Sequence, residues 1–276
     1  MEKNKAGYAT YKTNHMQSLK RTIESIHEKG LIFILKKRLS KLRGGKISHF
    51  SLLKELLENK NGLEIGGPSS IFQDKGVIPI YKFIKTLDGC NFSTQTIWEG
   101  NIESGNPYFY YPDKNGIQYI SEAADLSVIK DASYDFVISS NCLEHVANPL
   151  QAIQEWIRVI KPNGIILLAL PNKAYCFDHY RPITSFDHLI KDFQNNIQED
   201  DLTHLNEILQ LHDLTMDLPA GDKDQFKSRS LKNLENRTLH HHVFDIDLLK
   251  SIFHYFKLEI LLTHKGRDYV IVGKKI

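Results

Sequence analysis

At 276 residues, with 41% hydrophobic and 25% charged residues, the chain has the make-up of a soluble globular protein with one large core. Its 35 basic and 33 acidic residues leave a formal charge of +2, which excludes a global basic field for nucleic acid. Cys90, Cys142 and Cys176 are odd in number and show no zinc spacing, so they point to a reducing, cytoplasmic setting.

The N-terminus is polar, and its longest apolar stretch, Gly30 to Leu35, is too short for a secretory signal or a membrane span. Residues 19–46 are rich in Lys and Arg. Leu31, Ile32, Ile34, Leu35, Leu39 and Leu42 fit one helix face opposite Lys36, Lys37, Arg38 and Lys41. Two readings stand: a helix packed on the core with a solvated basic face, or one lying on an anionic membrane surface. Residues 1–49 are read as a basic helical arm.

Phe50 to Glu58 is expected to be helical and to lead into a strand at 62–66. That strand runs into Gly66-Gly67-Pro68-Ser69-Ser70, a turn that brings backbone close to a ligand or simply rounds a corner. A carboxylate just before the turn, Glu64, suits a cationic or hydroxyl-rich ligand better than a pyrophosphate. It leans away from a nicotinamide dinucleotide and toward S-adenosylmethionine (SAM).

Ile78 to Leu87 reads as a strand closed by an Asp88-Gly89 turn, and Gly116–Ile120 and Tyr134–Ser139 as further strands. In the helix expected from Leu150 to Ile160, Ile153, Trp156, Ile157 and Ile160 recur at three- and four-residue intervals. Pro162-Asn163-Gly164 stops it before the continuous apolar strand Ile165–Leu170. Strands alternating with helices predict a mostly parallel α/β sheet. At the C-terminus, Leu258–Thr263 and Tyr269–Val272 are joined too tightly for a parallel crossover, so one strand is reversed. Residues 172–245 are polar, and too long for an ordinary connection. They read as a largely helical insertion on the substrate side.

Taken in order, GLEIGGPSS, Ala124-Asp125-Leu126, SYDFVISSNCLEHVANP (133–149) and EWIRVIKPNGIILLALP (155–171) resemble the class I SAM-dependent methyltransferases of the type 11 group. The resemblance implies a Rossmann-like sheet with helices on both faces, a domain over 50–276, and SAM as cofactor. It implies that Glu64 and the backbone of Gly66, Gly67 and Ser69 hold the methionine part of SAM, that Asp88 takes the ribose hydroxyls, that Asp125 and Leu126 meet the adenine, and that Asn141 lines the methyl-transfer mouth. Pro68, Ser70 and Asn163 depart from the pattern. Asparagine tolerates left-handed geometry, and Pro68 removes one backbone donor from the turn. The segments FDHYRPITSFDHLIKDF (177–193), EDDLTHLNEILQLHD (199–213) and LHHHVFD (239–245) are similar to methyltransferases of surface-polysaccharide and glycan biosynthesis, which implies a sugar hydroxyl as acceptor.

Methyl transfer to an alcohol needs in-line alignment and a base for the departing proton, a role for which histidine is suited. His145 and His179 are candidates at the sheet edge, each with a structural alternative. Arg181 is a candidate clamp for a phosphate or carboxylate, or an ion-pair partner of Asp178 or Asp187. His204, Glu207, His212 and Asp213 do not share one helix face, so no metal set is assigned. In His240-His241-His242, read as a strand, either His240 and His242 together or His241 alone face a pocket. A lipid-linked or natural-product acceptor, and a SAM-binding protein without turnover, are the alternative readings.

Overall fold

The computed structural model describes residues 46–96 and 100–276. The basic amphipathic stretch at 19–46 lies outside the described residues, save Lys46. Residues 47–276 form one compact unit.

Its centre is an eight-stranded sheet. The strands are β1 (Asn61–Ile65), β2 (Thr86–Asn91), β3 (Pro107–Tyr111), β4 (Lys114–Ile120), β5 (Tyr134–Ser140), β6 (Ile160–Pro171), β7 (Leu258–Lys265) and β8 (Asp268–Lys275). They lie in the order β3-β4-β2-β1-β5-β6-β8-β7. The central neighbours from β4 to β6 are parallel, whereas β8 runs antiparallel to both β6 and β7. The reversed C-terminal strand is therefore present and lies between β6 and β7. At the opposite edge β3 turns back on β4 as a further antiparallel strand that the sequence pattern had not indicated.

Side-chain alternation divides the interior into two cores. Leu63 and Ile65 of β1, Val137 of β5, and Ile166, Leu168 and Leu170 of β6 face helices α2 (Pro149–Val159) and α7 (Ile246–Tyr255). Phe136, Ile138, Ile165, Leu167 and Ala169 face the other way, toward α1 (Phe50–Leu57) and the loop carrying Ile78, Ile80, Tyr81 and Ile84. Pro149 starts α2 where its missing N–H costs nothing, and the Asn148 side chain accepts from the Gln151 N–H. Leu150, Ile153 and Trp156 are then buried on one stripe. Asp245 caps α7 in the same way, accepting from the N–H groups of Asp247 and Leu248.

Ile78–Leu87 differs from expectation. Apart from its last two residues it is a loop with one 3-10 turn at Tyr81–Phe83, and the strand is Thr86–Asn91. The buried positions 78, 80, 81 and 84 break strict alternation, and Pro79 has no N–H for a ladder. Asp88-Gly89, expected as a turn, is therefore inside β2.

Between β6 and α7 lies the insertion, with α3 (Phe186–Gln194), α4 (Leu205–Leu211), α5 (Lys223–Ser230) and α6 (Asn233–Asn236). It has a small core of Ile208, Ala220, Phe226 and Leu239. The histidine run 240–242 is irregular chain rather than a strand, and all three histidines are buried.

Candidate active site

The strand order reverses between β1 and β5, and open α/β sheets bind ligands at the carboxyl ends of the strands at such a switch point. Gly66 follows β1 there with φ of 78°, and its backbone N–H donates to Cys90 O at 2.9 Å. A Cβ at Gly66 would press on Cys142, just after β5, so the two loops approach as closely as glycine permits. The Gly67-Pro68 bond is cis. A Cβ at Gly67 would overlap the Glu64 carboxylate and the Tyr108 hydroxyl.

Glu64 explains that crowding. Leu63 and Ile65 point toward α2 and α7, so Glu64 points to the opposite face, fully buried beneath the turn. Its Oε1 accepts from the Ser69 N–H at 3.0 Å and the Ser69 hydroxyl at 2.6 Å. Its Oε2 accepts from Tyr81 at 2.6 Å and Tyr108 at 2.8 Å. Burial pushes the carboxyl above its usual range, against the pull of the bonds from Ser69, Tyr81 and Tyr108. The four donors occupy the carboxylate's acceptor positions.

Asp88 is placed differently from the expectation that it takes ribose hydroxyls. It lies three residues before the end of β2, accepting at 2.6 Å from the Tyr134 hydroxyl and at 2.8 Å from the Ile117 N–H. The carboxyl end of β2 is Asn91, whose Nδ2 donates to Gly67 O at 3.1 Å. Asp125 is exposed, and a bond from the Ser127 N–H holds its carboxyl below the usual range. Leu126 is buried with its N–H given to Glu155 at 2.9 Å and its carbonyl to Arg158 at 2.8 Å. Asn141 is exposed directly after β5 with φ of 50°, its N–H donating to Ala169 O. The glycine turn, Asp125 and Asn141 thus lie at the carboxyl edge, with Asn91 standing where an acid was expected.

The insertion is fastened to the loop after β5. The His241 N–H donates to Glu144 O at 2.8 Å, and His145 Nδ1 donates to Leu239 O at 2.9 Å. His242 Nε2 donates to Ala147 O at 3.1 Å. Arg181, offered as an anion clamp, is 2% exposed and committed within the fold. Its Nε donates to Glu207 at 2.7 Å, Nη1 to His240 O at 2.6 Å and Nη2 to His241 O at 3.0 Å. His179 pairs with Asp213 at 3.1 Å. His241 accepts from Asn233 Nδ2 at 3.0 Å, and burial pushes its pKa down to about 4.

One pairing was missed by sequence reasoning. His240 Nδ1 lies 2.8 Å from Asp178 Oδ2 and donates to it, which leaves Nε2 with the lone pair. Burial raises the Asp178 carboxyl, but the hydrogen bond from His240, with Arg181 nearby, outweighs it and leaves it below the usual range. The His145 ring meets His240 edge-on at 4.6 Å. Burial, then the neighbouring His240, pushes the His145 pKa down to about 3, which makes it a weak base. Beneath them Glu144 is buried with neither carboxyl oxygen hydrogen-bonded, and burial pushes its carboxyl well above the usual range. Asp178 and His240 stand 62 residues apart in sequence, so no spacing rule finds them.

A cleft of about 680 Å³ opens beside Asp125, lined mostly by polar groups including Glu122, Gln151, Glu155, Asn196 and Glu199. It does not reach the glycine turn. Arg237 of the insertion pairs with Glu122 and Glu199 on one side and lies 5.0 Å from the Phe92 ring, just past β2.

Residues 84–168 match the methyltransferase domain family. The match takes in β2, the Asp125 loop, β5 and most of β6. With a methyltransferase domain comes its methyl donor, SAM, and the chain's residues fit it at the turn that only glycine admits and at the open edge beside Asp125 and Asn141. The ubiquinone biosynthesis O-methyltransferase of Rickettsia prowazekii (strain Madrid E) is 35% identical over 95 residues, covering 33% of this chain and 36% of that protein. The chain therefore aligns with about a third of that relative's length. Among solved structures, a SAM-dependent methyltransferase of Thermotoga maritima, described as a possible histamine N-methyltransferase, is similar at 15% identity with a TM-score of 0.42. It covers 89% of this chain and 96% of that one. A SAM-dependent methyltransferase of Methanosarcina mazei is similar at 15% identity and a TM-score of 0.45, covering 84% and 99%. The fold of the methyltransferase domain rests on its own strand order rather than on these likenesses. Among the described residues no helix is long and apolar enough to cross a membrane.

Proposed function

We propose that the chain is a SAM-dependent O-methyltransferase acting on a hydroxyl of a sugar or glycan intermediate, with His240 as the base. The observation that carries this is the Asp178–His240 pair at the carboxyl edge of β6, beside His145. SAM supplies a methyl group on a positively charged sulfur. With SAM bound, the chain's own part would be to take the acceptor's hydroxyl proton at His240 Nε2 as the methyl group is transferred and S-adenosylhomocysteine leaves. Asp178 fixes the tautomer and stabilises the imidazolium that forms, the logic by which a carboxylate orients a catalytic histidine elsewhere. A sugar hydroxyl is a poor acid, so a positioned base is worth roughly 10²–10⁴ in rate. The insertion, which gathers His240, His241 and His242 beside the loop after β5, supports a hydroxyl-rich acceptor.

The name of the Rickettsia relative favours a second reading, a phenolic acceptor. Release of S-adenosylhomocysteine, measured against a panel of nucleotide-linked and free sugars and a panel of catechols, separates the two. Sugar turnover that falls about 10²–10⁴-fold in His240→Ala, with SAM affinity unchanged, is the expected result. Turnover of catechols alone would replace the acceptor. SAM binding without product on either panel would make the chain a binding protein.

A further inference from the structure

A second constellation, apart from the Asp178–His240 pair, lies where the insertion meets the loop after β5. His188 and Asp192 are one helical turn apart on α3, so they present side chains on the same face. His204 immediately precedes α4, and His242 comes from the irregular run before α7. One ligand atom from each lies within 4.8 Å of all the others. His188 Nε2 is 3.0 Å from His204 Nε2 and 3.1 Å from Asp192 Oδ2, and Asp192 Oδ2 is 3.7 Å from His242 Nε2. Four ligands bound tetrahedrally at ~2.0–2.1 Å stand about 3.3 Å from one another, so these three separations are close to those of a coordination shell, which the remaining ligand atoms complete by a small contraction.

An independent observation points the same way. Asp192 Oδ2 is shielded from solvent and has no hydrogen-bond partner, and His242 Nδ1 is in the same state. Buried polar atoms are nearly always satisfied, and an orphaned carboxylate oxygen ringed by imidazoles calls for a cation. Binding the ion would replace the hydrogen bond from His242 Nε2 to Ala147 O, and Asn148 Nδ2 donates to the backbone carbonyl of Asp192 at 3.3 Å, which holds the end of α3 in place. We propose that His188, Asp192, His204 and His242 bind one divalent transition-metal ion, with zinc the best match. Three imidazole nitrogens and one carboxylate oxygen suit zinc, and four protein ligands make the site structural. The ion would pin α3, the start of α4 and the 239–244 run to one another, and so hold the roof of the acceptor side in place.

The test uses the untagged full-length chain, stripped with a chelator and titrated with zinc chloride and, separately, cobalt chloride. One equivalent per chain, a visible cobalt spectrum of tetrahedral type and a rise in thermal midpoint are expected. Asp192→Asn and His204→Gln should each weaken zinc binding by at least tenfold. His254→Ala, on the far end of α7, should leave it unchanged. A wild-type chain that gains neither spectrum nor midpoint from either ion overturns the proposal, whatever the variants do. So does undiminished stoichiometric binding by the double variant Asp192→Asn/His204→Gln.

Discussion

Glu64 shows how a binding turn is held by a residue whose own acceptors are already filled. Its two oxygens take four donors from Ser69, Tyr81 and Tyr108, so any effect on SAM proposed to bind at this turn would pass through the shape of the turn. Glutamine keeps one oxygen toward Ser69, and its amide can donate to the tyrosine oxygens. Leucine removes the acceptor of the Ser69 hydroxyl and of both phenols in an interior from which water is excluded, while the Ser69 N–H keeps the Tyr81 oxygen 2.7 Å away. Glu64→Gln is therefore expected to keep stability within ~1 kcal/mol, and SAM affinity within about threefold. Glu64→Leu should lose about 3 kcal/mol or more, at about 1–3 kcal/mol for each of three groups that lose their acceptor, with at least a tenfold loss of SAM affinity. Urea unfolding and calorimetric titration read the two quantities. A Gln variant that folds normally but loses SAM a hundredfold would mean that the carboxylate charge itself meets the ligand.

At the scale of elements, the contact of the insertion with the loop after β5 carries a pH signature. Glu199 accepts from the Ala147 N–H and pairs with Arg237, which also holds Glu122. Burial outweighs the attraction of Arg237 and raises the Glu199 pKa from its usual 4.5 to about 7. A raised carboxyl stabilises the fold below its unfolded pKa, and that stability is lost as pH rises through the folded value. The window is thus pH 4.5 to about 7, and the loss for this one group is about 3 kcal/mol at 1.36 kcal/mol per unit. Glu199→Gln cannot ionise, so its stability relative to wild type should climb by that order between pH 4.5 and pH 8. Parallel denaturation curves for the two proteins would show that the carboxyl does not titrate in this window. The same scale separates what the sequence made legible from what it hid. β1, β5, β6, α2 and the terminal hairpin were readable because their apolar periodicity matches their burial. β2 was set too early because Ile78–Ile84 is apolar for loop packing, and this carried Asp88 into mid-strand and away from the ribose edge. The insertion histidines were visible as residues. Their partners were not, because Asp178–His240 and His188–His204–His242 meet only through long-range folding.

The whole molecule joins a sheet with two large cores to an insertion whose own core is only Ile208, Ala220, Phe226 and Leu239. So small a cluster cannot offset the backbone entropy of ordering some seventy residues, at roughly 1–2 kcal/mol each. The insertion therefore borrows stability from the main core, through Leu189 and Phe244, and from internal polar ties, among which Arg181 is its most buried charged side chain. It leaves β6 with the chain, then grips Glu207 of α4 and the carbonyls of His240 and His241. Arg181→Met keeps much of the side-chain length and removes every donor, which leaves two buried carbonyls and one carboxylate unpaired. The half-exposed Glu207 can turn to water, so the expected cost is about 2–6 kcal/mol, at about 1–3 kcal/mol for each of the two buried carbonyls. Because the sheet cores do not depend on this residue, the loss should be local. Hydrogen exchange should speed up across 177–245 while β1, β5 and β6 keep their wild-type protection. Asp178 and His240 belong to the loosened region and Glu64 does not, so turnover should fall much further than SAM affinity. Uniform deprotection of sheet and insertion together would instead mean that they unfold as one unit.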